Sequence, residues 1–336
     1  MSNSTRLSVS SFSKIVSRRS HSAWEVYSKT TTLGKANIKR IFMSDAEHGL
    51  LAEGCGDSGY RLVNMKDGVI TKLSSARKIL TSVCWYPDIV PAVKKRKRTD
   101  SSERPLELFG VENSLTAFDT EVAKKANRTP FGGASTVRFA DGRTYFDRSG
   151  GLERGKAVHL EVEHFTRWPP KRFLAAHPSV DPLTKAVTCC ITQQLNLQLI
   201  DAERIVFDVD LKSGGLSING GTAVDFIGLD KSTGALVLIE LKTGSDETFD
   251  LPCRLNPRMR PPYFNDVPNT PLNRARLQLL LGAMFMERCF GVTVSECYVV
   301  HAPASDKPAV AIPLGSLISK KEDLLRKAME EWRMRV

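Results

Sequence analysis

Thr222-Ala223-Val224-Asp225-Phe226-Ile227-Gly228-Leu229 and Leu236-Val237-Leu238-Ile239-Glu240-Leu241-Lys242 are two mostly apolar runs, each interrupted by charge. Both are rich in Val, Ile, Leu or Phe and are bounded by Gly, Asp or Ser, which reads as strand. The turn around residues 231–234 joins them as a hairpin and brings the Asp225 region back alongside Glu240. Side chains alternate along a strand, so Glu240 and Lys242 project to one face and Leu241 to the other. Two carboxylates and an ammonium then converge at one edge of a buried sheet. Charges in such a place are costly unless paired or bound to a metal. A surface hairpin with an ordinary Glu/Lys pair is the alternative.

Outward from the hairpin, residues 204–211 form a third strand before it, and residues 273–290 read as a long amphipathic helix after it. A strand at 296–301 and a charged helix from 320 to about 334 follow. Upstream, 155–165 looks helical and is ended by Pro169-Pro170. A second helix begins at Asp181-Pro182 and runs through Thr192-Gln193-Gln194 to about residue 199. Three strands in succession without crossover helices make this a mixed α/β fold rather than a doubly wound one. The regular domain spans residues 151–336. Residues 1–150 form an N-terminal region of undisclosed role, expected to be partly disordered, with turn signals at Asp67-Gly68 and Asp141-Gly142.

The 336 residues carry 48 Lys+Arg against 37 Asp+Glu, a net charge of +11, which favours an anionic partner such as nucleic acid. A basic tail on a neutral domain would give the same total. No apolar run approaches the roughly 18 residues of a membrane-spanning helix, so no membrane partner is expected. Seven cysteines at irregular spacings, with no C-x-x-C pair, read as reduced thiols rather than as a zinc knuckle. Two address signals compete. The Ser-rich, acid-free start with Arg6, Lys14, Arg18 and Arg19 fits a mitochondrial transit peptide or a disordered tail. Lys94-Lys95-Arg96-Lys97-Arg98 fits a nuclear localisation signal, a phosphate-binding patch or a solvated linker.

The Asp225…Glu240-x-Lys242 layout suits phosphodiester hydrolysis, in which hard divalent cations bound by carboxylate oxygens activate water and offset charge on phosphate. Gly155-Lys156-Ala157-Val158-His159-Leu160-Glu161-Val162-Glu163 places His159 and Glu163 four apart on one helix face. Gln278 lies on the helix after the Glu-x-Lys strand. Together these residues resemble the PD-(D/E)XK nuclease superfamily, specifically its RecB-like exonuclease branch, over about residues 151–301. The resemblance implies a restriction-endonuclease-like αβββαβ core. It also implies Mg²⁺ or Mn²⁺ held by His159, Asp225, Glu240 and the Leu241 carbonyl. Lys242 would orient water and stabilise charge, with Glu163 and Gln278 assisting at the catalytic site. The family's Gln-x-x-x-Tyr pattern is broken, because Gly282 stands where the Tyr should be. Some relatives carry an iron–sulfur cluster; Cys253, Cys289 and Cys297 are too widely spaced for one, so none is expected.

Between strand and helix lies a loop with Arg254, Arg258, Arg260, Tyr263, Phe264, Arg274 and Arg276. Guanidinium groups can contact phosphates and rings can stack on bases, so this loop is a candidate DNA clamp; a Pro-stiffened surface loop is the alternative. The expected activity is that of a metal-dependent deoxyribonuclease, more exonuclease than endonuclease. It would act on single-stranded or end-bearing DNA in recombination, repair or genome maintenance. A catalytically inactive nucleic-acid-binding protein that keeps the fold is the competing reading.

Overall fold

The computed structural model describes residues 19–48, 50–54, 60–64, 70–85, 136–138, 144–146, 148–208, 220–244, 249–253, 255–303 and 307–334. The first elements among the described residues are α1 (His21–Lys29) and α2 (Thr32–His48), then β1 (Leu50–Gly54), β2 (Tyr60–Asn64), β3 (Ile70–Ser75) and α3 (Ala76–Val83). Next come β4 (Thr136–Arg138), β5 (Thr144–Phe146), α4 (Arg148–Arg167), α5 (Pro170–Ala176) and α6 (Pro182–Cys189), which ends in a π-turn at Cys190–Gln194. Then follow β6 (Leu197–Asp208), β7 (Gly220–Asp230), β8 (Leu236–Gly244) and α7 (Pro271–Phe290). β9 (Val294–Pro303), β10 (Val310–Pro313), α8 (Ser316–Ser319) and α9 (Glu322–Met334) come last.

Eight strands form one mixed sheet in the order β1-β2-β3-β7-β8-β9-β10, with β6 also paired to β7. The β3–β7 and β8–β9 pairs are parallel and the others antiparallel. The expected mixed α/β class is what the chain adopts, and with α5 and α6 inserted after α4, the elements α4, β6, β7, β8, α7 and β9 come in αβββαβ order. The central strands β7 and β8 are buried on both faces. Val224, Ile227, Leu236, Leu238 and Val299 pack with α7, while Phe226, Val237, Ile239, Leu241 and Val300 pack with Val158 and Val162 of α4 and Val187 of α6. Burial on both sides explains why β7 and β8 read as nearly continuous apolar runs. α7 is defined at both ends. Thr270 accepts the Asn273 amide at its start, and Gly291 closes it at φ 61°, a left-handed conformation that glycine adopts without strain. No helix among the described residues is long and apolar enough to cross a membrane.

Two expectations shift. The helix expected to reach residue 199 stops at the π-turn, and Asn196, at φ 52°, turns the chain into β6. Leu197 and Leu199 are buried on either side of half-exposed Gln198, the alternation of a strand, so the first core strand runs over 197–208 instead of 204–211. A short apolar stretch beside a helix satisfies either period, and here the Asn196 turn decided between them. In the Ser-rich start, Ser20 is fully buried and caps α1 by accepting the Ala23 amide. Arg6, Lys14, Arg18 and the 94–98 basic run lie outside the described residues.

Residues Met1–Tyr86 form one contact unit with Gly155–Val336, and Pro87–Arg154 form a second, in which the β4–β5 hairpin pairs Thr136 with Phe146. Ile38, Ile41 and Phe42 of α2 and Ile79 and Leu80 of α3 are fully buried in the same cluster as Leu277, Leu281 and Phe285 of α7. Burying five such side chains contributes on the order of 10 kcal/mol, as much as the whole stability of an ordinary domain. A fragment of residues 151–336 is accordingly expected to lack a cooperative thermal transition that the full chain has. Calorimetry that found the fragment melting as sharply as the full chain would contradict this.

Candidate active site

The site forms where the sheet splits. β8 pairs with β7 only over Phe226–Leu229, and β3 pairs with β7 only at Gly220 and Gly221. Between those ladders the β7 edge at residues 222–225 is open. There the Leu241 amide donates to Asp225 Oδ2 at 2.8 Å, so a carboxylate takes the place of a ladder carbonyl as β8 leaves β7. Both Asp225 and Glu240 are buried, with 9% and 2% of their surface exposed.

Asp225 sits at a second irregularity. Ala202 pairs with Phe226 and Arg204 with Val224. Regular alternation would put Ala202 and Arg204 on one face. Instead Ala202 joins the α4 side, while the Arg204 guanidinium lies over the rings of Phe42 and Phe290 on the α7 side. Phe226 and Val224 divide in the same way. Both strands change face at the intervening residues, Glu203 and Asp225. Glu203 takes φ 47°, a left-handed conformation uncommon for a non-glycine residue, and such outliers cluster at functional sites.

His159 enters from α4. Its Nε2 is 3.2 Å from the Leu241 carbonyl, and its Nδ1 is 3.7 Å from Glu203 Oε1 and 3.9 Å from Asp225 Oδ2. One helical turn earlier, a Cβ on Gly155 would lie 2.5 Å from Thr243 Oγ1. The motif glycine thus lets α4 close on the end of β8, which is what brings His159 to the Leu241 carbonyl. One ligand atom each from His159, Glu203 and Asp225 lie within 4.8 Å of one another. An imidazole and hard carboxylate oxygens beside the Leu241 carbonyl are a donor set that suits Mg²⁺ or Mn²⁺.

From the other face, Lys242 Nζ meets Glu240 Oε1 at 2.5 Å and Gln278 Nε2 donates to the same oxygen at 3.1 Å. Gln278 is therefore not an exposed helical glutamine. Gly282, one turn on, packs with its open side toward Val224 and Thr222 of β7, where a Cβ would lie 3.4 Å from Val224 Cγ2. A tyrosine ring has no room there, because α7 lies directly on the strand that carries Asp225.

The charges are strongly coupled. Burial raises the Asp225 carboxyl above its ordinary range against the pull of His159 and Lys242, with Glu203 adding to the rise. Burial and then Asp225 push Glu240 up to about 7, although Lys242 opposes them. Burial works against the Lys242 ammonium, yet Glu240 and Asp225 outweigh it and leave Lys242 raised. His159 is likewise raised, since Glu203 and Asp225 outweigh burial. An excess of buried negative charge of this kind is what a divalent cation relieves.

The remaining expected residues separate. Glu163 is at the margin, bonded to Arg167 Nη1 at 2.6 Å, and burial raises its carboxyl. Arg254 lies outside the described residues. The other loop arginines have partners within the protein. Arg258 donates to the Asp266 carbonyl, Arg260 to that of Ser82, Arg274 to Asn269 Oδ1, and Arg276 to the Pro313 carbonyl. Phe264 is fully buried in the core and cannot stack on a base, and the Tyr263 hydroxyl donates to Glu331. Sequence reasoning missed Glu203, which carried no motif and stood between Asp201 and Arg204 as one of several charges in the strand.

No family model matches the chain, and no curated protein matches it. Among solved structures, a proposed exonuclease from Eubacterium rectale is 10% identical and has a TM-score of 0.29, covering 53% of this chain and 68% of its own. The protein SSO0001 is 13% identical with a TM-score of 0.23, covering 51% and 71%. Likeness at this level carries no functional argument, so the reading rests on the site itself.

The sign of the pH dependence follows from Glu240. Its carboxyl rises from the ordinary 4.5 to about 7 on folding, so the metal-free fold binds this proton more tightly than the unfolded chain does. Its stabilising contribution is full below about 4.5 and is lost as pH rises through about 7. In EDTA, wild type should therefore lose stability relative to Glu240→Gln between pH 5 and 8, and Mn²⁺ should restore it. Parallel melting curves across that range would contradict the account.

Proposed function

We propose that this protein is a metal-dependent nuclease that hydrolyses phosphodiester bonds in DNA. The observation that carries this is the meeting of His159, Glu203, Asp225 and the Leu241 carbonyl with the Glu240–Lys242–Gln278 group at one break in a buried sheet. His159, Glu203, Asp225 and the Leu241 carbonyl would hold Mg²⁺ or Mn²⁺, with Glu240 adjoining. When bound, the cation supplies Lewis-acid polarisation of the phosphate and a lowered pKa for the attacking water.

The chain's own groups do the rest. Gln278 and Lys242 share one Glu240 oxygen, which fixes the carboxylate and aims the ammonium along β8. From there Lys242 would orient the water and donate to a phosphate oxygen as negative charge builds. His159 is held by the Leu241 carbonyl, so its other nitrogen faces Glu203 and Asp225. The surplus of 11 positive charges favours a polyanionic substrate, and the exposed Arg258 keeps donors for a phosphate beyond its bond to Asp266. Exonucleolytic action on single-stranded or end-bearing DNA, in repair or recombination, is the specific form favoured by the His159 helix motif.

Purified protein should degrade end-labelled linear DNA with Mn²⁺ or Mg²⁺ and not with EDTA, and should spare a closed circle. Lys242→Ala should reduce the rate by at least about 100-fold without weakening DNA binding. A wild type that binds DNA but is as inert as Lys242→Ala would assign the fold to binding alone.

A further inference from the structure

Tyr60 belongs to β2, far in sequence from every motif above, yet its hydroxyl lies at the break in the sheet. Tyr60 Oη accepts the Ala223 amide at 3.0 Å. That amide belongs to the open β7 edge between the β3 and β8 ladders, two residues before Asp225, or roughly 7 Å along the strand. The ring is seated by a glycine, since a Cβ on Gly221 would lie 3.4 Å from Tyr60 Cδ2. The short parallel pairing of Ser74 and Ser75 with Gly220 and Gly221 holds β3, and β2 beside it, in that place.

A phenol oxygen that accepts one hydrogen bond still has its own proton to donate. Among the described residues no acceptor in the protein takes it. Burial raises the Tyr60 hydroxyl, the Ala223 amide opposes this, and Glu203, Asp225 and Glu240 each raise it further, as they must if Oη faces the acidic site. Tyr60 thus stays protonated at neutral pH, with its hydroxyl on the same open edge of β7 that carries Asp225.

We propose that Tyr60 contacts the substrate, its phenol donating to a non-bridging oxygen of the phosphate bound over Asp225. This rests on the nuclease reading above. It gives the N-terminal strands a role in the site, and it places an aromatic hydroxyl near β7 without help from α7, where Gly282 leaves none.

Two replacements in the full-length protein test it. Tyr60→Phe removes the donor and also the acceptor for Ala223. Replacing Tyr60 with 3,5-difluorotyrosine keeps the acceptor but makes the phenol ionise at lower pH. Tyr60→Phe should lower kcat about 10- to 100-fold with little change in KM, and Mn²⁺ binding measured by calorimetry should match wild type. It should also change the rate ratio between the two phosphorothioate stereoisomers of a cleavable linkage, whereas a loosened fold slows both isomers alike. The difluorotyrosine enzyme should lose activity at lower pH than wild type on the alkaline limb. Unchanged rates, an unaltered stereoisomer ratio, an unmoved alkaline limb or lost Mn²⁺ binding would each overturn the assignment. If wild type itself cleaves nothing with Mn²⁺, the nuclease reading falls and this assignment falls with it.

Discussion

The hydrogen bond from the Leu241 amide to the Asp225 carboxylate is the constraint on which the rest of the site depends. It lets β8 part from β7 without leaving a buried amide unpaired, at a point where an orphan donor would cost about 1–3 kcal/mol. Once the strands part, the Leu241 carbonyl is free to meet His159 from one face, and Glu240 is free to meet Lys242 and Gln278 from the other. The same carboxylate faces Glu203 across a pair of strands that change face together. A single residue thus serves as backbone cap and as charge, and this ties the fold to the chemistry.

Three buried or half-buried acids against one lysine and one histidine leave the metal-free site short of positive charge. Its protonation pattern is the result, with Asp225 and Glu240 both raised mainly by burial. The left-handed backbone at Glu203 has a different origin, the sheet itself. Left-handed backbone at a glutamate is tolerated where the surrounding sheet imposes it, and here β7 and β6 are zipped on both sides of the irregularity. Site geometry is therefore set by a large, well-packed sheet rather than by a mobile loop.

Much of this was legible in the sequence because it followed period and spacing. β7, β8 and α7 announced themselves through apolar runs, and Glu240 and Lys242 share a face because they are two apart. Gly155 and His159 could be read as one unit because a helix turn separates them, and the structure supplies the reason, which is close packing on Thr243. Contacts with no local signature were not legible. Glu203 became a site residue only through a backbone irregularity, and Tyr60 only through a parallel pairing of two residues between distant strands. The loop arginines could be counted from the sequence, but the carbonyls that Arg258 and Arg276 meet could not, because those contacts join residues with no shared pattern. The packing of α2 on α7 was not legible either, because α2 shows its core face only as Ile38, Ile41 and Phe42, spaced for a helix within a polar stretch.

The central claim is that a divalent cation binds where β7 and β8 part. Crystals soaked in Mn²⁺ and measured at the manganese absorption edge test it directly. The account predicts an anomalous peak coordinated by His159, Glu203, Asp225 and the Leu241 carbonyl, and its loss in Asp225→Asn. No peak at millimolar Mn²⁺, or one bound elsewhere and unaffected by Asp225→Asn, would contradict it.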